Sequence, residues 1–186
     1  MPKVLITGGA GFIGSHLADE LLAAGYSVRV LDSLSPQVHG GDRRPPTYLN
    51  PEVEFMMGDV RSVTALRRAL RGVRFVFHLA ASVGVGQSMY RISEYCHVND
   101  VGTARLLEAI IKQPVERLVV ASSMSNYGEG LYRDAQGRLY DSAERNLDQL
   151  RAGDWEVRDP SGDALVPVGV PESKAPCLAS VYALSK

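Results

Sequence analysis

The chain has 186 residues, enough for one domain with a sizeable core and too few for two large ones. Its 20 lysines and arginines balance 21 aspartates and glutamates to a net charge of −1, which argues against a nucleic-acid-binding face or an acidic tail. Cys96 and Cys177 form no metal-type pair and read as inert thiols, and no apolar run reaches membrane-spanning length, so a cytoplasmic protein is expected.

Lys3-Val4-Leu5-Ile6 predicts a short buried parallel strand. Residues 7 to 14 then read Thr-Gly-Gly-Ala-Gly-Phe-Ile-Gly. Gly8 suits a tight turn, Gly11 a close approach to pyrophosphate, and Gly14 close packing of a helix on a strand. Phe12, Ile13, Leu17, Leu21 and Leu22 recur at helical spacing, so a helix begins inside the glycine segment. Its first turn offers unpaired N–H groups and a partial positive charge to a phosphate. Ser27 to Leu31 predicts a second strand, ending at Asp32. A carboxylate there accepts hydrogen bonds from both adenosine-ribose hydroxyls and repels a 2′-phosphate, which favours NAD over NADP. Strand, glycines, helix, strand and acid in this order are far more specific than three glycines alone.

Ser33 to Pro51 is polar and proline-rich and predicts a mobile loop near the adenosine end. No crossover helix is evident before the third strand, Val53 to Met57. Gly58-Asp59-Val60-Arg61 closes that strand, and Ser62 is positioned to cap a helix carrying Leu66, Ala69 and Leu70. Phe75 to Leu79 predicts a fourth strand, followed by the small residues Ala80, Ala81 and Ser82. A long helix is expected over about 93–112, with Val98, Val101, Ala104, Leu107 and Ile111 along one broad face. Arg117 to Ala121 predicts a fifth strand. The alternation implies an α/β fold with a mostly parallel sheet covered by helices on both faces. Ligands of such sheets bind beyond the carboxyl ends of the strands.

Residues 128–177 break the alternation and read as an insertion, a lid or interface flap. Ala135-Gln136-Gly137 and Asp159-Pro160-Ser161-Gly162 predict hairpin turns, and Glu144 to Leu150 a short helix. Tyr182-Ala183-Leu184-Ser185-Lys186 then places a phenol and an ammonium on one helical face. The pairing has a chemical purpose, because a nearby ammonium favours the phenolate and makes tyrosine a usable base. Among the other polar residues, His78 reads as a structural histidine and His39 as solvated. His16 and His97 lack partners at metal spacing. Tyr127 fits either a substrate contact or the core, and Ser88 either a substrate phosphate or a helix cap. Met56 and Met57 read as core filling.

These motifs together resemble the N-terminal part of an extended short-chain dehydrogenase/reductase of the NAD-dependent epimerase/dehydratase type. They are Thr7 to Gly14, Asp32, Gly58-Asp59-Val60, His78-Leu79-Ala80-Ala81, Asn99, Ser122-Ser123 with Tyr127-Gly128, and Tyr182 with Lys186. The resemblance implies a Rossmann-type doubly wound parallel sheet and NAD as cofactor. It implies that Gly8, Gly11, Phe12, Ile13 and Gly14 line the pyrophosphate, with Asp32 and Ser33 at the ribose and Asp59 and Val60 at the adenine. Leu79, Ala80, Ala81, Asn99 and Ser122 complete the cofactor contacts. Ser123 would hold the reacting sugar hydroxyl, Tyr182 would be the base, and Lys186 would be its partner and hold the nicotinamide ribose. Ser82, Ser88, Met124 and Ser125 would line the substrate.

The implied reaction oxidises C4 of a nucleotide-linked sugar to a transient ketone and reduces it from the other face. An Asp-Glu pair follows the serine in 4,6-dehydratases, and Met124 and Ser125 stand there instead, which favours epimerisation. A decarboxylase of the same family, or a non-catalytic NAD-binding module, stays open at this point. The segment 122–133, Trp155 and the insertion resemble a narrower group of dTDP-L-rhamnose 4-epimerase-like proteins. No Cys-x-x-Cys pair stands in the insertion, so no metal site is expected. Family members continue past the position of Lys186 into a substrate-gripping domain and pair as homodimers. The 186 residues are therefore expected to be an incomplete NAD-binding domain that holds NAD but turns over sugar poorly.

Overall fold

The computed structural model describes residues 1–186. The chain divides into two compact units: Met1–Ala121 with Ser185, and Ser122–Leu184 with Lys186.

The first unit is built on strands β1 (Lys3–Thr7), β2 (Ser27–Asp32), β3 (Glu54–Met57), β4 (Val73–His78) and β5 (Arg117–Val120). They form one parallel sheet in the order β3-β2-β1-β4-β5. The chain winds outward from β1 on one side and from β4 on the other. The carboxyl ends of β1 and β4 therefore flank the switch point where an open α/β sheet takes its ligand. Leu79 N–H donates to Thr7 O at 3.0 Å, which holds these two ends together.

Alternate strand residues feed two cores. Leu5, Leu31 and Val76 pack with Leu66 of α3 (Val63–Ala69) and with Leu106 and Ala109 of the long helix. Ile6, Val28 and Val30 pack on the other face with Ala18 of α1 (Phe12–Ala23) and with Leu34 and Leu49. Ser62 caps α3 as its position predicts, accepting a hydrogen bond from Ala65 N–H at 3.3 Å. Met56 packs on the first core, whereas Met57 is exposed.

Two features differ from the sequence reading. The link between β2 and β3 contains one helical turn, α2 (Pro36–His39), and is tied down rather than loose. Leu34 and Leu49 are buried plugs, and Tyr48 donates its hydroxyl proton to Ala10 O at 2.8 Å. The long helix is not uniform either. After a short α4 (Val85–Ser88), α5 (Ile92–Tyr95) passes through a π-helical turn, Cys96–Val101, into α6 (Gly102–Lys112). Its buried face carries Tyr95, Asn99, Gly102, Leu106 and Ala109, while Val101, Ala104, Leu107 and Ile111 lie on the exposed side. A helix apolar on two faces gives a periodicity that does not say which face is inside.

Arg29 is buried within an otherwise apolar strand. Its Nη1 donates to Ala69 O at 2.6 Å and Arg71 O at 2.9 Å, at the carboxyl end of α3, and its Nη2 pairs with Glu54 at 2.9 Å. The guanidinium satisfies carbonyls that a helix end leaves unpaired.

The second unit holds a three-stranded antiparallel sheet, β7-β6-β8, from β6 (Leu131–Arg133), β7 (Leu139–Tyr140) and β8 (Val166–Val168). Both predicted turns form. Asp134 Oδ1 accepts N–H bonds from Gln136 and Arg138, and Asp159 Oδ1 from Ser161 and Asp163. The short helix lies slightly later than expected, as α7 (Leu147–Arg151) capped by Asn146. Only the start of the Tyr-x-x-x-Lys segment is helical: α8 (Val181–Leu184) packs on the 3-10 turn Met124–Tyr127, and Lys186 lies past its end, so the expected shared helical face of Tyr182 and Lys186 does not form.

Candidate dinucleotide site and catalytic residues

The glycine turn of the first unit assigns each glycine a separate reason. Gly8 has φ +71°, and a Cβ there would lie 2.7 Å from Ala80 N and 2.8 Å from its Cα. A Cβ on Gly14 would lie 2.5 Å from Gly9 Cα and 2.6 Å from Gly8 O. Both are backbone collisions, so β1, α1 and the chain after β4 approach this closely only with glycine. Gly11 differs, because its Cβ would meet only Gly8 O, at 3.4 Å. Protein packing does not demand glycine there. Gly9, which sequence reasoning passed over, packs under Val30: a Cβ would lie 2.7 Å from that side chain.

Gly11 is also the N-cap of α1, with no side chain capping the helix. The twelve-residue helix thus offers first-turn N–H groups and its positive end to an anion. Phe12 and Ile13 stand exposed beside it.

Asp32 ends β2 and is buried. Its Oδ2 accepts Ala10 N–H at 3.0 Å and its Oδ1 accepts Leu34 N–H at 2.9 Å. Each oxygen keeps a lone pair for a further donor. Ser33 is exposed beside it. His39, expected to be solvated, instead turns inward. Its side chain is 6% exposed, and Nε2 lies 3.8 Å from Asp32 Oδ1.

Asp59 follows β3, and Arg61 grips its carboxylate, Nη2 to Oδ2 at 2.6 Å and Nε to Oδ1 at 3.0 Å. The guanidinium holds the Asp59 carboxyl below the usual carboxylate range. The Val60 side chain is buried in the core and against Gly102, which leaves only its backbone for a ligand.

A directional hydrogen-bond chain stiffens the switch point. Thr103 donates to Asn99 O, a group that can only accept, so Thr103 accepts from His78 Nε2–H at 2.9 Å. His78 Nδ1 shares a hydrogen bond with the Thr7 hydroxyl at 2.6 Å, and Thr7 accepts Ala80 N–H at 3.3 Å. His78 is thus the hydrogen-bonded structural histidine its strand position predicts. Asn99 lies buried in the π-helical turn, where Oδ1 accepts Ser82 N–H at 2.7 Å and Nδ2 donates to Ser82 O at 3.1 Å. Ser82 is therefore fixed through both backbone groups, and π-turns of this kind concentrate at functional positions. Leu79, Ala80 and Ala81 are partly buried between these anchors. Ser88 is buried and donates to Val85 O at 2.6 Å.

In the second unit, Ser123 Oγ accepts Ser125 N–H at 3.2 Å and caps the 3-10 turn. That contact uses a lone pair and leaves the hydroxyl proton for another partner. Ser122 Oγ donates to Lys186 O at 3.3 Å. Cys177 N–H donates to Asn126 O at 2.7 Å, and Lys174 Nζ to Tyr127 O at 3.0 Å, fixing the same turn. Met124 is exposed. Tyr182 is buried in α8, and burial pushes the Lys186 ammonium below its ordinary pKa. A desolvated cation of this kind gains from an anionic partner.

A five-stranded parallel sheet with helices on both faces and a glycine turn at its switch point defines a Rossmann-like protein. Residues 4–145 match the model of the NAD dependent epimerase/dehydratase family, and the chain belongs to that family. It is 38% identical over 158 residues to the dTDP-L-rhamnose 4-epimerase of Burkholderia thailandensis, covering 83% of this chain and 43% of that one. It is 39% identical over 138 residues to the UDP-glucose 4-epimerase of Bos taurus, covering 70% of this chain and 40% of that one. Among solved structures, the Thermus thermophilus UDP-glucose 4-epimerase in complex with NAD superposes with a TM-score of 0.69 at 32% identity, over 99% of this chain and 47% of that one. The chain thus spans less than half the length of the curated relatives it matches.

Proposed function

We propose that the chain is the cofactor-binding part of an NAD-dependent nucleotide-sugar 4-epimerase. The observation that carries the reading is Gly11, a glycine that packing does not require at the uncapped end of α1, in one unit with the buried carboxylate Asp32. Relatives named as 4-epimerases of dTDP-L-rhamnose and UDP-glucose support it.

The residues fit NAD. Gly8, Gly11 and Gly14 with the N–H groups of Phe12 and Ile13 would hold the pyrophosphate, and Asp32 the adenosine ribose. Asp59 and the Val60 backbone would hold the adenine, and Leu79 to Ala81 would line the middle of the dinucleotide. NAD held there would act as the hydride acceptor and donor for C4. Tyr182 removes the C4 hydroxyl proton and gives it back, and Ser123 orients that hydroxyl through its free proton. Lys186 stabilises the phenolate and holds the nicotinamide ribose. Met124 and Ser125 border the substrate and offer no strong acid or base, so no elimination competes.

Residues 128–177 are an insertion within this domain. The exposed apolar stripe of Val101, at the end of the π-helical turn, with Leu107 and Ile111 of α6 supports a homodimer through this helix, and the unpaired thiols suit a cytoplasmic enzyme. No helix is long and apolar enough to cross a membrane.

Equilibrium titration with NAD and NADP tests the cofactor assignment. NAD is expected to bind at least about tenfold more tightly, since a 2′-phosphate meets the Asp32 carboxylate. Equal or tighter NADP binding counts against it.

A further inference from the structure

We propose that His39 is a second reader of the adenosine ribose and acts with Asp32 on its 2′-hydroxyl. This rests on the assignment of the first unit as an NAD site. His39 Nε2 and Asp32 Oδ1 lie 3.8 Å apart, with side chains 6% and 9% exposed. That separation is too long for a direct hydrogen bond and suited to a shared partner. A hydroxyl oxygen about 2.8 Å from each atom completes the triangle, giving its proton to the carboxylate and accepting Nε2–H. A phosphate has no proton to give Asp32 at neutral pH and fits the pair poorly.

The carboxylate itself says which hydroxyl is read. Asp32 Oδ2 holds Ala10 N–H of the glycine turn, so that oxygen faces the pyrophosphate side. Oδ1 holds Leu34 N–H and faces α2. Along the ribose ring the 3′-carbon is the nearer of the two to the phosphate-bearing 5′-carbon. The 3′-hydroxyl therefore falls to Oδ2, and the 2′-hydroxyl to Oδ1 and His39.

His39 is held for this role from several directions. The buried Leu34 anchors the start of the segment. Gln37 Nε2 donates to Gln87 Oε1 at 3.3 Å, linking α2 to α4, and Tyr48 ties the far end to Ala10 O. An imidazole fixed in this way meets the ribose with little ordering left to do.

Calorimetric titration with ADP and with 2′-deoxy-ADP, on the wild-type chain, His39→Ala and His39→Gln, tests the proposal. Wild type is expected to favour ADP over 2′-deoxy-ADP. His39→Ala should lose about fivefold to tenfold for ADP and almost nothing for 2′-deoxy-ADP. His39→Gln, which keeps a donor, should recover part of the loss. Equal losses for both ligands would make His39 a structural support of α2 and overturn the proposal alone. A wild-type chain that binds neither ADP nor NAD would overturn the cofactor assignment, and the proposal with it.

Discussion

Gly14→Ala is expected to unsettle the fold and abolish NAD binding, whereas Gly11→Ala keeps the fold and loses only the cofactor. The new methyl at position 14 would sit 2.5 Å from Gly9 Cα and 2.6 Å from Gly8 O, with no flexible side chain able to yield. Relief requires α1 to move off the turn, at about 3 kcal/mol. At position 11 the methyl meets protein only at 3.4 Å, so the melting temperature should stay within a few degrees of wild type. The same methyl occupies the space into which a pyrophosphate approaches, and NAD affinity should fall by at least about tenfold. Thermal melts paired with NAD titrations separate the two variants. Identical behaviour of both would remove the ligand-based reason for Gly11.

Tyr182→Phe is expected to leave NAD binding within about twofold of wild type and to slow C4 inversion by about 10²–10⁴-fold in the intact gene product. Phenylalanine fills the same buried site in α8 and removes only the proton-carrying oxygen. Ser123→Ala should cost less, since it removes one orienting hydrogen bond and the capping contact to Ser125 N–H. Both are read as initial rates with UDP- and dTDP-hexoses. Product formation undiminished in Tyr182→Phe would rule out the assigned base.

Much of this was legible in the sequence because local rules and the global fold agree. The strand runs, the glycine spacing, the Ser62 cap and the Asp134 and Asp159 turns each follow from short-range chemistry. The rest depends on distant partners. Nothing near Arg29 in the chain says why a charge sits in an apolar strand, and its partners are carbonyls at the distant end of α3. His39 sits among prolines and polar residues, and only the fold of residues 33–49 brings it to Asp32. The π-helical turn leaves no periodic signature over six residues, and the apolar residues on both faces of α6 hide which side is buried.

The fate of the hydrogen at C4 is the most direct measurement. A nucleoside diphosphate hexose bearing deuterium at C4 is incubated with the NAD-loaded intact gene product, and the C4 epimer is isolated. Inverted configuration with the deuterium still at C4 is predicted, because hydride exchange with a bound dinucleotide would keep that hydrogen away from solvent. Deuterium lost to solvent, or inversion at another carbon, would contradict it.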